Sequence, residues 1–236
     1  MSGPTYETLV ELIYERAATA TSPFFVGVAG AVAVGKTTIV KALSRGLESR
    51  GRRVHVLSTD AFLLPNDVLN ERGLLMRKGF PESYDEGAIR SVLGRLRCGE
   101  AASVSVYSHD IYDIVPGITQ TITVPDVMIV EGVVALQKPT VCLLDLAVYV
   151  DAAEENVRKW FVERFIGLTE TGARDSSSFY HRFSGTPSEQ VQQLAEATWD
   201  AINGPNLTRH IAPSLARADI VVVKAADHSI AELRKT

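Results

Sequence analysis

Hydrophobic residues fall along this chain in two alternating rhythms. Between positions 5 and 20, Leu9, Leu12, Ile13 and Ala17 recur every three to four residues, with Glu7, Glu11 and Glu15 opposite them. That is the spacing of an amphipathic helix. Pro23 stops it, and Phe24, Phe25, Val26 and Val28 form a short apolar run of the kind that is buried on both faces of a sheet. The pair then repeats. A Gly-rich turn leads to a helix over 36–50, ended by Gly51, and 54–57 reads as a second strand with Asp60 just past its end. Residues 66–84, rich in Gly, Pro and charge, read as a long functional loop with some local helix, and 85–97 as a helix. Strict alternation over 103–107 and 118–124 predicts an exposed antiparallel pair.

The apolar run 127–130 predicts a buried strand that ends at Glu131-Gly132, and 144–150 another. Asp151, with Glu154 in the capping-box position, predicts a helix to about residue 165. The polar, Ser-rich stretch 169–185 reads as a candidate lid. Thr186-Pro187-Ser188-Glu189 reads as a helix start with its cap at Thr186. A last strand is expected at 220–223 and a final helix from Asp227. Strands that alternate with helices predict an α/β fold with a mainly parallel sheet, helices on both faces and a small antiparallel hairpin.

Composition narrows the picture. Of 236 residues, 46% are hydrophobic and 22% charged, and the net charge is −4. A chain of this length buries a core without staples. Its mild acidity argues against nucleic acid as a partner, while leaving room for a local phosphate site. Cys98 and Cys142 are the two cysteines, which excludes a disulfide framework and fits a reducing compartment. No run reaches the 18 apolar residues of a membrane span, and the N-terminus is acidic where a secretion signal is basic and apolar. The expectation is a soluble, cytoplasmic protein with no membrane partner.

The candidate chemistry begins in the first Gly-rich turn. Gly30-Ala31-Val32-Ala33-Val34-Gly35-Lys36-Thr37, followed by Thr38, matches GxxxxGK[ST] between a strand and a helix, the setting a phosphate loop requires. The glycines let successive backbone N–H groups point at phosphate oxygens, and the helix start adds its positive dipole end. Lys36 reaches the β- and γ-phosphates of ATP, and the Thr37 hydroxyl ligates Mg²⁺. Asp60, past a strand end, is placed to take a proton from a substrate hydroxyl. Glu131, at the end of the apolar strand, is placed to hold Mg²⁺. Arg164 is placed to neutralise the phosphoryl group in transfer. Lys224 and His228 flank the last strand.

Further segments carry a resemblance. GVAGAVAVGKTT (27–38), STDAFLLPN (58–66), NERGLLMRKGFPESYD (70–85), VYSHDIYD (106–113), IVEGVVAL (129–136) and YVDAAEENVRKWFVERF (149–165) resemble the bacterial type I pantothenate kinases, within the phosphoribulokinase/uridine kinase group of P-loop kinases. SFYHRF (178–183), AINGPNL (201–207) and VVKAADHSIAELR (222–234) continue the likeness. The resemblance implies one kinase domain over 1–236, with an N-terminal helix in 1–22 and a helical lid in 166–185. It implies ATP and Mg²⁺ as cofactors, a homodimer, and phosphorylation of pantothenate on its primary hydroxyl, the first step towards coenzyme A. Asp60 then stands at the catalytic base, with Lys36 and Arg164 beside it. Tyr107, His109, Phe161, Tyr180 and Asn206 stand at substrate-pocket positions, and Lys224 and His228 at the adenine.

The chain also departs from that family. Phe161 replaces a tyrosine, Ala173 a phenylalanine, Val134 an asparagine and Lys41 an arginine, and the family's chains carry a longer segment ahead of the phosphate loop. Three of these changes lie around the acceptor, where a lost hydroxyl can move specificity. Two other readings therefore stay open at this point: a related kinase of a nucleoside, sugar or other small alcohol, and a nucleotide-binding NTPase or regulator with no small acceptor.

Overall fold

A computed structural model describes residues 4–20 and 23–236. Its centre is a six-stranded sheet in the order β2-β5-β1-β6-β7-β8. The strands are β1 (Phe24–Gly30), β2 (Val54–Ser58), β5 (Val127–Glu131), β6 (Leu146–Ala152), β7 (Ile220–Lys224) and β8 (Ile230–Lys235). The first five run parallel, and β8 pairs antiparallel to β7. A separate ribbon holds β3 (Ala102–Ser108) and β4 (Asp113–Ile122).

Strand alternation divides the interior in two. Val26, Val28, Ile129, Val148 and Val150 face one core, while Phe25, Ala29, Met128, Val130, Ala147 and Tyr149 face the other. Helices α1 (Tyr6–Thr19), α2 (Lys36–Glu48) and α5 (Glu154–Gly172) cover the first face, and α4 (Glu86–Arg97) covers the second. Because the central strands are apolar on both sides, both layers are obligatory, as the unbroken runs at 24–28 and 127–130 predict.

Helix α1 lies close against α2. A Cβ placed on Gly46 would stand 2.6 Å from Val10 Cγ1. Arg50 pairs with Glu7 and with Glu11, the latter at 3.0 Å, so two of the three expected solvent-face acids hold one arginine beyond the end of α2.

Several expectations need correction. The helix predicted from Asp227 is strand β8: Asp227 Oδ1 accepts hydrogen bonds from Ser229 N (3.0 Å) and Oγ (2.6 Å), which makes a turn. The chain then reverses onto the open edge of β7 and pairs its backbone groups. Asp151 caps no helix. It continues β6 opposite Val223 and faces Arg234 at 3.9 Å, and α5 starts at an uncapped Ala153. α5 runs to Gly172, past the expected end near 165 and into the lid candidate. Its polar residues do not stop it because Thr169 and Thr171 bond back to Ile166 and Gly167 carbonyls. Helix α6 (Ser188–Thr198) begins after Pro187, with no side-chain cap from Thr186. Strand β4 starts at Asp113, five residues before the predicted 118. Within the long loop, α3 (Asn66–Glu71) and two 3-10 turns supply the local helix expected there.

The Gly46 contact gives a test. Gly46→Ala improves helix propensity by about 1 kcal/mol, but its methyl collides with Val10, and overpacking costs roughly 1–3 kcal/mol. Urea unfolding should show a net loss, recovered when Val10→Ala is added; a stabilised single variant would show that α1 and α2 are not in tight contact.

Candidate active site

Three strand ends meet at one edge of the sheet. β1 delivers the phosphate loop, β2 delivers Asp60 and β5 delivers Glu131, and β5 lies between the other two. Gly35 precedes α2 at φ +99°, ψ 21°, a left-handed conformation open to glycine, and it caps no N–H with a side chain. The first amides of α2 are thus left to an anion. Ala33 also has a positive φ, +65°, which the sequence pattern does not reveal because alanine has no special freedom there. Lys36 Nζ donates to the Gly30 carbonyl (3.1 Å) and the Ala31 carbonyl (2.8 Å), so the lysine folds back over its own loop. Thr37 and Thr38 lie in the first turn of α2.

Asp60 stands in a 3-10 turn, Thr59–Phe62, capped by Ser58 Oγ at 3.2 Å. The GFPESYD segment braces that turn. Leu64 N donates to Ser83 O (2.9 Å), Asp85 N donates to Phe62 O (2.8 Å), and Leu63 pairs with Tyr84. Ser83, fully buried, donates to Phe80 O (2.7 Å) and accepts from Gly79 N (2.9 Å). Across the sheet, Ser58 stands in register with Glu131. Thr59 packs into the space left by Gly132: a Cβ there would stand 1.8 Å from Thr59 Oγ1, and Gly132 has φ +149°. Only glycine fits after Glu131.

The electrostatics follow from burial. Burial lifts the Asp60 carboxyl above the ordinary aspartate range, and His109, Lys36, Lys78 and Arg164 pull it back in part. Burial also lifts Glu131, with Lys36 opposing and Asp60 reinforcing. Burial pushes the Lys36 ammonium down, and Glu131 and Asp60 oppose that. Lys36, Lys78 and Arg164 all favour the charged form of Asp60, so three cations converge where a phosphate tail would sit.

Lys78, absent from the expected site, is the main addition. It is buried, and its Nζ donates to Asn66 Oδ1 (2.7 Å) and Tyr112 O (2.6 Å), with Asp113 at 4.0 Å. The Tyr107 and Tyr112 rings lie 5.2 and 4.4 Å from it. Burial brings its pKa down to about 8, against the pull of Asp113 and Asp60. It falls in the segment 70–85, but a lysine beside an arginine reads as a solvated face until the loop is folded.

The other expected pocket residues spread around this centre. Tyr107 and His109 stack edge to face at 5.2 Å on β3 and the turn after it. Tyr112 stacks on Phe179 at 4.6 Å, and Phe179 N donates to Asp110 O, which joins the hairpin tip to the segment Phe179–Phe183 that carries Tyr180. Arg164 is exposed on α5 and makes no ion pair among the described residues, yet its charge reaches Asp60, Lys36 and Tyr180. Phe161 sits in the core against Trp199 and Phe165. Asn206 Nδ2 donates to Gly79 O at 2.9 Å, while its buried Oδ1 has no partner. Lys224 and His228 lie on the β7 side, away from Asp60. Of the departing residues, Val134 is buried just past Glu131, and Ala173 ends α5 beside the Tyr180 segment.

A phosphate loop that faces half-buried acids at parallel strand ends is the architecture of nucleotide-dependent kinases. The sequence profile of the Phosphoribulokinase / Uridine kinase family matches residues 25–166, and the chain belongs to that family. The chain is 44% identical over 226 residues to the pantothenate kinase of Myxococcus xanthus, covering 90% of this chain and 71% of that protein. It is 44% identical over 221 residues to the pantothenate kinase of Streptococcus gordonii, covering 89% and 72%. Among solved structures, D-glycerate 3-kinase from Cryptococcus neoformans shares the fold at a TM-score of 0.68 and 14% identity, covering 98% of this chain and 97% of that one. Phosphoribulokinase from Rhodobacter spheroides shares it at 0.52 and 12%, covering 85% and 69%. The chain is a small-molecule kinase that uses ATP. Among the described residues no helix is long and apolar enough to cross a membrane.

Gly132→Ala tests how the two acids are held. Its methyl must displace Thr59, and with it Asp60, and a misplacement near 1 Å costs on the order of 10²-fold in turnover. Steady-state kinetics should show that loss, with Thr59→Ala, which removes the colliding Oγ1, partly restoring activity in the double variant. Full activity in Gly132→Ala would separate Thr59 from the placement of Asp60.

Proposed function

We infer that this chain phosphorylates the primary hydroxyl of pantothenate with ATP, yielding 4'-phosphopantothenate for coenzyme A synthesis. The observation that carries the reading is the half-buried Asp60 carboxylate, set between the phosphate loop and a pocket of tyrosines and Lys78. The relatives' shared name and the GFPESYD and YSHDIYD segments support the acceptor. So does Asn206: its buried, unpaired Oδ1 is an acceptor that an amide N–H would satisfy, and pantothenate carries one where simple sugars carry none.

Asp60 orients the hydroxyl and takes its proton as the oxygen attacks the γ-phosphorus in line. The new O–P bond forms as the bond to the bridging oxygen of ADP breaks. Lys36 and Arg164 offset charge on the equatorial oxygens. Thr37 and Glu131 offer a hydroxyl and a carboxylate oxygen, and Asp60 lies near enough to Glu131 to raise it. Hard oxygens of this kind fit Mg²⁺, so Thr37 and Glu131 would hold the ion, which when bound would offset negative charge on the phosphates. Tyr107, His109 and Tyr180 line the acceptor side, and residues 173–185 close over it with the hairpin tip to exclude water.

An acceptor panel with ATP and Mg²⁺ tests this directly. Pantothenate should be turned over, and nucleosides and sugars should not. ADP release equal with and without acceptors would remove the kinase reading. Asp60→Asn should lower kcat by roughly 10²–10⁴ while ATP binding persists.

The pH dependence has two signs. The base form of Asp60 is needed, so activity falls as pH drops through a carboxyl pKa raised above the ordinary value of about 3.9. Stability moves the other way. A raised folded-state pKa gives a contribution fully present below the unfolded value and lost as pH rises through the folded one. Asp60→Asn should therefore melt higher than the parent at pH 7, with the gap closing below about pH 4; a lower melting temperature at pH 7 would show that the ionised carboxylate is net stabilising.

A further inference from the structure

Lys224 poses a problem at the nucleotide end. It closes β7, is only 4% exposed, and makes no ion pair among the described residues. A buried ammonium without a counter-charge is costly. Its hydrogen bond runs from Nζ to the hydroxyl of Tyr6, the first residue of α1, at 2.7 Å. The Tyr6 ring lies 5.1 Å from the same nitrogen. Lys224 Cε stands 4.0 Å from the Cβ position of Gly35, so its stem runs beside the last residue of the phosphate loop.

A second anomaly sits on the same turn. His228 has φ +65°, rare for a residue other than glycine, and its ring stacks on Trp160 at 4.1 Å and 29°. The turn is closed by Ala225 N to Ser229 O and His228 N to Ala225 O, each 3.0 Å. Backbone strain and an unneutralised buried charge thus occur together beside the phosphate loop, where both point to a ligand.

The strand order says which part of the ligand. Asp60 and Glu131 follow β2 and β5 on one side of β1, and Lys224 follows β7, two strands away on the other. With the phosphates on the loop after β1 and their terminal group towards the acids, the nucleoside end extends towards β7. We propose that Tyr6 is a nucleotide-site residue: its phenol oxygen accepts a hydrogen bond from one N–H of the Lys224 ammonium and so aims the other two at the base end of bound ATP. Helix α1 is then part of the binding machinery as well as a cover for the sheet. This rests on reading Lys224 and His228 as adenine-side residues of an ATP-dependent kinase.

Tyr6→Phe keeps the ring and removes the hydroxyl. Isothermal titration should show ATP binding weakened about tenfold, the scale of a hydrogen bond to a charged group. Binding of inorganic tripolyphosphate, which has no base, should be unchanged, as should the KM for pantothenate. Lys224→Ala should weaken ATP at least as much, with tripolyphosphate again unaffected. If Lys224→Ala weakens ATP and Tyr6→Phe does not, Tyr6 is removed from the site while the adenine-side reading stands. If neither weakens ATP, both fall. An equal loss for ATP and tripolyphosphate in Tyr6→Phe, or a lowered melting temperature, would assign Tyr6 to scaffolding and overturn the proposal.

Discussion

Everything at this site depends on keeping opposite charges side by side and half out of water. Asp60 and Glu131 are lifted by burial and Lys36 is depressed by it; Lys36 favours the charged form of both acids and they favour its charge, while His109, Lys78 and Arg164 add to the pull on Asp60. No single member is comfortable alone, since an unpaired charge out of water costs far more than one surface pair returns. The arrangement persists because three parallel strands fix where the charges sit. Ser58 stands opposite Glu131, Val28 does the same from the other side of β5, and Thr59 fills the space over Gly132.

That constraint explains why so much sequence is spent on bracing. The GFPESYD segment bonds to both sides of the Asp60 turn, through Leu64 with Ser83 and Phe62 with Asp85. Asn206 reaches from the far end of the chain to the Gly79 carbonyl, next to Lys78. Lys78 in turn joins α3 to the hairpin through Asn66 and the Tyr112 carbonyl. The loops around Asp60 are therefore tied to one another as well as to the sheet. A shift in any of them reaches the aspartate, and turnover depends on its placement to within a fraction of an ångström.

The two sides of the phosphate loop carry different risks. On the acceptor side the structure buries Phe161, one of the positions where the resemblance implies a different residue, here a tyrosine, against Trp199 and Phe165. An aromatic ring in that packing needs no hydroxyl to stay in place. On the nucleotide side, Lys224 finds its partner in α1, a helix whose N-terminal residues would otherwise read as surface.

Much of this was legible in the order of residues. Apolar runs of strand length, Gly-Lys-Thr after a strand, and acids at the ends of two more strands reflect local rules: side-chain period, backbone freedom and the chemistry of a phosphate cradle. They placed the strands of the parallel sheet, the loop, Asp60 and Glu131. What they could not place depended on partners distant in sequence. Asp227 begins a turn and not a helix because the edge of β7 was waiting to be paired. Asp151 stays in a strand because Val223 lies opposite it. Lys78 and Lys224 are buried because tyrosines 34 and 218 positions away accept their hydrogen bonds, through a backbone carbonyl in one case and a phenol in the other. Residue order thus set which chemistry this chain carries, while packing chose which charges lose their water, because burial belongs to the folded whole and to no single segment.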